Sequence, residues 1–341
     1  MARRTAAVLL LAVLVVGTTF GAANPPATAG TTNLRDNPVE PLAADLVFDD
    51  GVAIGDAGVP VRSVVTGDLD RDGDPDLVTA VEADAPIRAW QNPGPPISAG
   101  WAGTDVGAPG AATDSLALGD LDHDGYLDLA SGSQGAAAWE VMVWRNDGTP
   151  FDAAWAGTGV GGAGNVLALV MADLDNDGDL DLVSGTHDAV ITAWENDRTP
   201  FDGTWSSQFV GNTVNATQAL VVGDLDHDGY LDLVSADANH RVLVWSNDRS
   251  PFDGTWTPLT ALTTGDVVYS LDLADLDADG DLDIAAACGT AEDYELIVLE
   301  NDGSPFSGAW TAQDAGAVSA IPYAVVADDL VAPGDGDLEP R

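Results

Sequence analysis

Residues 173–183 read Asp-Leu-Asp-Asn-Asp-Gly-Asp-Leu-Asp-Leu-Val, and close variants of this stretch occur five times in the chain. The copies begin at Asp68, Asp120, Asp173, Asp224 and Asp275, with spacings of 52, 53, 51 and 51 residues. Such a regular period indicates a repeat architecture, in which each copy is one supersecondary unit. These five stretches, called the acidic loops below, therefore determine how the fold and the chemistry of the chain are interpreted.

Each acidic loop lies between segments with the composition of β-strands. An apolar stretch such as Leu220-Val221-Val222 enters the loop, and Asp-Leu-Val-Ser or a close variant leaves it. A second apolar stretch ends in Trp-x-Asn, and a turn rich in Gly, Pro and Asp then leads to a second Trp. The Trp of Trp-x-Asn is found at Trp90, Trp144, Trp194 and Trp245, with Leu299 in the fifth copy. The second Trp is found at Trp101, Trp155, Trp205, Trp256 and Trp310.

About four short strands in each unit predict an all-β fold, a β-propeller in which every unit forms one four-stranded blade. We expect six or seven blades with the last one incomplete, because the acidic motif is degraded near Asp335. A single blade cannot cover both of its faces, so the recurring Trp and Phe are interpreted as packing between neighbouring blades. The alternative for the tryptophans is a stacking platform for sugars.

The chain before the repeats predicts export. Arg3 and Arg4 precede an apolar run at 6–16, and small residues follow at Ala27-Thr28-Ala29. This order is typical of a secretory signal peptide, which we place at 1–29 and follow with a linker at 30–43. The alternative is a buried N-terminal helix. The propeller is placed at 44–341, with units near 44–92, 100–146, 154–196, 204–247 and 255–301 and a partial unit at 309–341.

The chain is strongly acidic, with 56 Asp and Glu against 11 Arg, no Lys and a formal net charge of −45. Such a surface repels nucleic acids and anionic lipid headgroups, because binding to either requires Lys or Arg. We therefore expect no nucleic acid partner. No stretch after the signal peptide is apolar enough to cross a membrane, so we expect no membrane insertion of the mature chain, which would be secreted or held at the cell surface. The single cysteine, Cys288, lies in an apolar run and is expected to be a small buried residue.

The spacing inside the acidic loop suits a hard cation. Carboxylates at positions one, three and five alternate, so they can turn toward one centre, and Gly at position six permits a sharp turn. The carbonyl at position seven and the carboxylate at position nine would complete the ligands. Calcium accepts about 6–8 oxygens in irregular geometry, whereas magnesium requires a tight octahedron. The sequence has no cluster of Cys or His that would suggest zinc or a redox metal.

EF-hands share the beginning of this motif, and position twelve distinguishes the two. An EF-hand requires a bidentate Glu at that position, on a helix that leaves the loop. Here the segments that leave the loops resemble strands instead. Position twelve is occupied by Thr79, Ser131, Ser184, Ser235 and Ala286. The EF-hand interpretation therefore fails in every copy.

The whole pattern resembles a known repeat family. Residues 173–183, followed by Asn-Asp-Arg-Thr-Pro-Phe at 196–201, are similar to the VCBS/FG-GAP repeat of integrin-α-like β-propellers, in its prokaryotic VCBS type. The resemblance implies about five Ca²⁺ sites, one in each acidic loop. Their carboxylate ligands would be Asp68, Asp70, Asp72, Asp76, Asp120, Asp122, Asp124, Asp128, Asp173, Asp175, Asp177, Asp181, Asp224, Asp226, Asp228, Asp232, Asp275, Asp277, Asp279 and Asp283. Their carbonyl ligands would be Asp74, Tyr126, Asp179, Tyr230 and Asp281.

The loops do not account for all of the acidic residues. They hold 23 of the 56 Asp and Glu, and we interpret the others as a surface adapted to high ionic strength, where salt screens repulsion between them. The integrin-type adhesion signatures, Phe-Gly and Gly-Ala-Pro, are not at their usual places. The ligand site of integrins is therefore not transferred to this chain.

The resemblance implies a non-catalytic, calcium-binding module that binds an extracellular protein or glycan. Two alternatives stay open, a calcium-dependent polysaccharide-active enzyme of the lyase type and a passive structural part of a surface assembly. No catalytic residue is identified. His123 and His227 occupy position four of their loops and are expected to be exposed spacers. His187 and His240 lie in turns without an evident partner acid or nucleophile.

Overall fold

The computed structural model describes residues 54, 59–82, 84–94, 100–135, 139–254, 256–289, 294–307, 310–318 and 322–327. The predicted signal peptide, the linker, the first residues of the predicted propeller and the degraded acidic motif near Asp335 lie outside the described residues. The described chain is all-β, with twenty strands in five sheets. Its described residues contain no helix with the length and apolar character needed to cross a membrane.

Each sheet contains four antiparallel strands that follow one another in the chain. Sheet 1 comprises β1 (Val61–Gly67), β2 (Asp76–Val81), β3 (Ile87–Gln91) and β4 (Ala102–Gly107), and sheet 2 comprises β5 (Thr113–Gly119), β6 (Asp128–Ser133), β7 (Val141–Arg145) and β8 (Ala156–Gly161). Sheet 3 comprises β9 (Val166–Ala172), β10 (Asp181–Thr186), β11 (Val190–Glu195) and β12 (Ser206–Asn212). Sheet 4 comprises β13 (Thr217–Gly223), β14 (Asp232–Asp237), β15 (Arg241–Ser246) and β16 (Thr257–Thr263). Sheet 5 comprises β17 (Val268–Ala274), β18 (Asp283–Cys288), β19 (Tyr294–Glu300) and β20 (Thr311–Val318).

The acidic loop connects the first strand of each sheet to the second, and the turn after Trp-x-Asn connects the third strand to the fourth. The fourth strand begins directly after the second Trp and pairs with the third strand of the same sheet, as β4 pairs with β3. The predicted unit near 100–146 groups β4 with the following copy, so the sheets and the sequence units are offset by one strand. The turn explains the offset, because it folds the fourth strand back onto the third as a local antiparallel pair.

The five sheets pack face to face in chain order. The first strands of successive sheets lie side by side: β1 beside β5, β5 beside β9, β9 beside β13 and β13 beside β17. Each large hydrophobic cluster draws its residues from two neighbouring sheets. Between sheets 1 and 2, for example, Val78 and Ala89 share a cluster with Leu129 and Trp144. The core therefore lies between the sheets, as expected for repeats that cannot cover their own faces.

The Trp of Trp-x-Asn packs against a glycine of the preceding sheet. A side chain at Gly107 would collide with the ring of Trp144, and a side chain at Gly161 would collide with the ring of Trp194. Trp144, Trp194 and Trp245 are 4%, 5% and 1% exposed, so their rings are not available as a platform for sugars. The prediction that these tryptophans are packing residues is confirmed. The partner glycines were not predicted, because nothing in a single repeat indicates which residue of the neighbouring repeat meets the ring.

The indole N–H of the same Trp donates a hydrogen bond to position twelve of the acidic loop in its own sheet. Trp245 donates to Ser235 Oγ at 2.8 Å. The same bond joins Trp90 to Thr79, Trp144 to Ser131 and Trp194 to Ser184. In sheet 5, Leu299 replaces the Trp and Ala286 replaces the Ser, so donor and acceptor are missing together. A buried N–H requires an acceptor, which explains the hydroxyl where an EF-hand has Glu.

Residues 322–327 lie beside sheet 5. The main-chain N–H of Val325 donates to Ser270 Oγ of β17 at 3.2 Å. Between sheets 2 and 3, the N–H of Leu169 in β9 donates to Ser115 Oγ of β5 in the same way, at 2.9 Å. Val325 is 3% exposed and belongs to a cluster with residues of sheet 5. The segment therefore occupies the place where the first strand of a further sheet would lie.

We predict that the Trp–Ser bond contributes to stability only while both partners are present. Ser235→Ala leaves the buried N–H of Trp245 without an acceptor, so it should lower the free energy of unfolding by about 1–3 kcal/mol. In a Trp245→Leu background, Ser235→Ala should lower the free energy of unfolding much less, because the double variant reproduces the Leu299 and Ala286 pair of sheet 5. Chemical denaturation of the four chains in a double-mutant cycle measures the coupling. Equal costs in the two backgrounds would contradict the bond.

Candidate metal centres

The acidic loops have the same backbone conformation in every sheet. The Gly at position six has a positive φ, between 89° and 102° in the five loops, as the predicted sharp turn requires. Position four also has a positive φ, between 57° and 62°, although its residue is not Gly. These residues are Arg71, His123, Asn176, His227 and Ala278. Most side chains avoid this conformation, so the loop geometry overrides the preference of the individual residue.

Three carboxylates meet in each loop. Oxygen atoms of positions one, three and nine lie within 4.8 Å of one another in the first four loops, and those of positions one, three and five do so in the fifth. These three-carboxylate groups are Asp68, Asp70 and Asp76; Asp120, Asp122 and Asp128; Asp173, Asp175 and Asp181; Asp224, Asp226 and Asp232; and Asp275, Asp277 and Asp279. The structure thus brings together three of the four carboxylates that the sequence placed around a cation in each loop, and leaves position five outside the group in the first four loops and position nine outside it in the fifth.

Position five has a second role in every loop. One of its carboxylate oxygens accepts the main-chain N–H of position seven at 2.9 Å, as in the bond from Asp179 to Asp177. The other four loops form the same bond, from Asp74 to Asp72, Tyr126 to Asp124, Tyr230 to Asp228 and Asp281 to Asp279. This bond shapes the turn, and the other oxygen of position five is left to face a cation or a basic side chain.

The Asp at position nine is the buried centre of the loop. In the third loop, Asp181 is 1% exposed, and its two carboxylate oxygens accept the main-chain N–H groups of Leu174 and Asn196 at 3.1 and 2.9 Å. Leu174 is position two of the same loop, and Asn196 is the Asn of Trp-x-Asn. Asp76, Asp128, Asp232 and Asp283 form the same pair of bonds. Position nine therefore ties the loop to the end of the third strand, apart from any role as a ligand.

The carboxylates at position nine have raised pKa values. Burial, which removes water from the charged form, raises the pKa of Asp181 to about 8. For the same reason the pKa is about 7 for Asp128 and Asp232 and about 6 for Asp76 and Asp283. The two N–H bonds oppose this rise in pKa, and the charges at positions three and five add to it. Negative charge is thus concentrated around a buried carboxyl group at position nine. A bound cation would stabilise the charged form of this group and so lower its pKa.

The Asn of Trp-x-Asn links consecutive loops. The side-chain amide of Asn196 donates to the carbonyl of Leu121 in the second loop, at 3.3 Å, and to that of Leu180 in its own loop, at 3.2 Å. Asn146, Asn247 and Asn301 reach the preceding loop in the same way, at the carbonyls of Leu69, Leu174 and Leu225. In the sequence this Asn was only the last residue of an apolar stretch, directly before a turn. Its fixed place beside the Trp was the only signal of a further role.

Position four of one loop contacts the next loop. His123 Nε2 lies 2.9 Å from Asp179 Oδ1, and His227 Nε2 lies 2.9 Å from Asp281 Oδ1. Asn176 and Arg71 contact main-chain carbonyls of the following loop, at Gly229 and Asp124. Although burial raises the pKa of Asp179, the bonds from Arg198 and His123 outweigh it and hold that pKa below its usual value. The interpretation of the two histidines as spacers is therefore corrected: both are more than half exposed, but each joins two loops.

Arginine side chains contact carboxylates of the second, third and fourth loops. A guanidinium nitrogen lies 2.7–2.9 Å from a carboxylate oxygen in the pairs Arg145–Asp122, Arg198–Asp179 and Arg249–Asp228. Arg198 and Arg249 lie in the turn after Trp-x-Asn and have positive φ values of 74° and 73°. Arg145 is the middle residue of Trp-x-Asn. These contacts were not predicted from the sequence, because each joins residues about twenty positions apart.

The residues of the loops fit calcium. All of the predicted ligands are oxygens, which suit a hard cation and do not suit zinc or copper. In the second loop, Oδ1 of Asp120 is buried and has no hydrogen-bond partner. A carboxylate oxygen buried without a partner is unfavourable, and a cation at the centre of the group would supply one. Calcium tolerates the irregular arrangement that these loops provide.

The repeat also matches a known family. The model of the FG-GAP-like repeat matches residues 68–131, 120–184, 173–235 and 224–286, each from position one of one acidic loop to position twelve of the next. The chain belongs to the FG-GAP-like repeat family. The resemblance to VCBS/FG-GAP repeats that was drawn from residues 173–201 is thereby confirmed. No curated protein matched the chain. The FG-GAP-like repeats of this chain thus begin at the acidic loop, and the contacts that position four makes with the next loop fall within the matched region.

We predict that positions nine and three respond differently to loss of charge. Without calcium and at a pH above 8, where the Asp181 carboxylate is charged, Asp181→Asn should lower the free energy of unfolding by about 1–3 kcal/mol, because an amide cannot accept both N–H bonds. Asp175→Asn should be neutral or slightly stabilising without calcium, since it removes repulsion. With saturating calcium, each variant should lack the stability that one ion adds. Urea denaturation in EDTA and in calcium measures both effects, and a neutral Asp181→Asn in EDTA would contradict the structural role of position nine.

Proposed function

We propose that this FG-GAP-like repeat protein is an exported, calcium-stabilised β-propeller that binds an extracellular protein or glycan and has no catalytic activity. The observation that carries the proposal is the recurrence of a three-carboxylate group at the same corner of five sheets. A catalytic centre is needed once in a protein, whereas an ion that stabilises a repeat is needed in every copy. The apolar run at 6–16 supports export.

The packing of the sheets supports the propeller. In a propeller, four-stranded sheets are arranged around a central axis and each sheet is covered by its neighbours. The first strands β1, β5, β9, β13 and β17 follow one another side by side, which is the order expected around an axis. Val325 adds a further segment beside β17. We infer six or seven blades on this basis.

Calcium would act by linkage to folding. Four or five carboxylates within nine residues repel one another, and the folded loop holds them together where an unfolded chain does not. A cation that binds the folded loop far better than the unfolded chain stabilises the fold in proportion to the logarithm of its concentration. The bonds between consecutive loops, such as Asn196 to Leu121, would spread that stabilisation across neighbouring repeats.

We place the ligand surface at the end of the sheets opposite to the acidic loops. In an antiparallel sheet of four consecutive strands, the turn between strands two and three and the connection to the next sheet lie at that end. These segments differ in length and sequence among the copies. They expose Trp139, which is 47% exposed, and Val214, which is 62% exposed. Variable turns that expose large apolar side chains favour contact with a ligand.

The contacts of the histidines bear on the enzyme alternative. A lyase requires a general base near its substrate. His123 and His227 are bound to aspartates of neighbouring loops, and His187 is exposed and lies 3.7 Å from the exposed Asp188. The contacts of His123 and His227 favour structural roles for these two histidines. We therefore rank a polysaccharide lyase second to a binding module.

We predict that calcium raises the melting temperature by many degrees. In EDTA at low salt the carboxylates of the loops repel one another, so the chain should melt early, and added Ca²⁺ should restore the melting temperature. Magnesium at the same concentration is the control and should restore much less. Circular dichroism or scanning calorimetry measures the transition. A melting temperature that does not change across a calcium titration would overturn the proposed role of the ion.

We predict that ligand binding depends on the end opposite to the acidic loops. Glycan arrays and pull-downs from extracellular material, with and without calcium, test for a ligand. Trp139→Ala should weaken binding, whereas Val64→Ala, at an equally exposed position on the face of sheet 1, should not. A folded chain that binds nothing would favour a passive structural part. Turnover of polyuronides would favour the lyase alternative.

A further inference from the structure

The second acidic loop differs from the other four in the contacts of position one. In the other loops, the carboxylate of position one accepts the main-chain N–H groups of positions five and six, at 3.0–3.2 Å. In the second loop, Oδ1 of Asp120 is buried and accepts no hydrogen bond. The one loop with an orphaned carboxylate oxygen is also the loop that Arg145 contacts.

Arg145 is bound to the carboxylates themselves. Its Nη2 lies 2.7 Å from Asp122 Oδ2 and 3.5 Å from Asp124 Oδ2. Asp122 belongs to the three-carboxylate group of the loop, together with Asp120 and Asp128. Among the residues that the structure describes, no other arginine contacts a member of such a group, because Arg198 and Arg249 bind positions five and seven.

A second arginine lies beside the same loop. Nη2 of Arg71 is 3.5 Å from the carbonyl of Asp124, and its guanidinium lies 4.1 Å from the centre of the Tyr126 ring. Position seven is Tyr in this loop, so the loop has four acidic residues where the first, third and fifth loops have five. The second loop therefore has as few acidic residues as the fourth loop, which also has Tyr at position seven, but two arginines lie beside it and one, Arg249, contacts the fourth.

The middle residue of Trp-x-Asn faces its own acidic loop in other sheets too. Gln91 donates from Nε2 to Asp70 Oδ2 at 2.8 Å, so a neutral side chain at this place also reaches position three. Glu195 has a raised pKa, caused by burial and then by the charges of Asp175 and Asp177. The same place is thus neutral in sheet 1, positive in sheet 2 and negative in sheet 3.

We propose that the middle residue of Trp-x-Asn sets the calcium affinity of each loop, and that Arg145 makes the second loop the weakest of the five sites. This inference rests on the proposed role of the loops as calcium sites. The guanidinium already occupies the position-three carboxylate, and it repels a divalent cation at the centre of the group. Calcium must therefore displace Arg145 from a member of the three-carboxylate group in the second loop, whereas in the fourth loop Arg249 contacts Asp228 at position five, outside that group.

Calcium titration of the full chain, followed by calorimetry and by native mass spectrometry, tests the proposal. The wild-type chain should show a class of tight sites and one weaker site. Arg145→Gln, which copies the residue of sheet 1, should tighten the weak site by at least about tenfold, since two like charges a few ångströms apart repel even in water. Arg88→Gln is the matched control, because Arg88 pairs with Asp105 at 2.8 Å away from the loops. It should leave every site unchanged.

Two further variants assign the weak site to its loop. Asp122→Asn should remove the weak site and leave the tight class intact, whereas Asp175→Asn should remove one member of the tight class. Five equal sites in the wild-type chain, or an Arg145→Gln chain with unchanged affinities, would overturn the inference and leave calcium binding itself in place. A wild-type chain that bound no calcium would overturn the proposed function, and this inference with it.

Discussion

A buried carboxylate that accepts two main-chain N–H groups is the interaction on which each repeat depends. In the third loop this is Asp181, which receives one N–H from the loop and another from Asn196 at the end of the third strand. The side chain of Asn196 in turn reaches the preceding loop at Leu121. One Asp and one Asn thus connect a loop, its sheet and the neighbouring repeat. Because the same pair recurs in each sheet, the repeats keep a constant geometry along the chain.

This arrangement has an electrostatic consequence. The carboxylate at position nine is buried, and in the first four loops the carboxylates of positions one and three lie close to it. The folded loop therefore holds several negative charges close together. A divalent cation would neutralise this negative charge most directly, and basic side chains neutralise part of it. Basic side chains do so in the three middle loops, where Arg145, Arg198 and Arg249 contact the aspartates. The five loops are therefore alike in backbone and unlike in charge.

Contacts between repeats account for most of what sequence analysis missed. The strand composition was predicted from residues within one copy, and the period and the packing role of the tryptophans were predicted from their recurrence in five copies. The structure agrees with these predictions. The interpretation of His123 as a spacer was wrong because its partner, Asp179, lies 56 residues later. The offset between the predicted units and the sheets has a similar origin, since the second Trp begins the last strand of one sheet and not the first strand of the next.

The sequence by itself determined the features that depend on residues close together in the chain. These are the strand and turn segments, the Gly with positive φ at position six and the oxygen ligands of a hard cation. Repetition of this local pattern along the chain adds the fifty-residue period. Only the tertiary structure decided that the ring of Trp144 packs against Gly107. It also decided that His123 contacts Asp179 of the third loop and that Arg145 contacts Asp122. Those pairs are set by the hairpins and by the stacking of one sheet on the next. A local sequence pattern does not indicate which residue of the neighbouring sheet will pack against it.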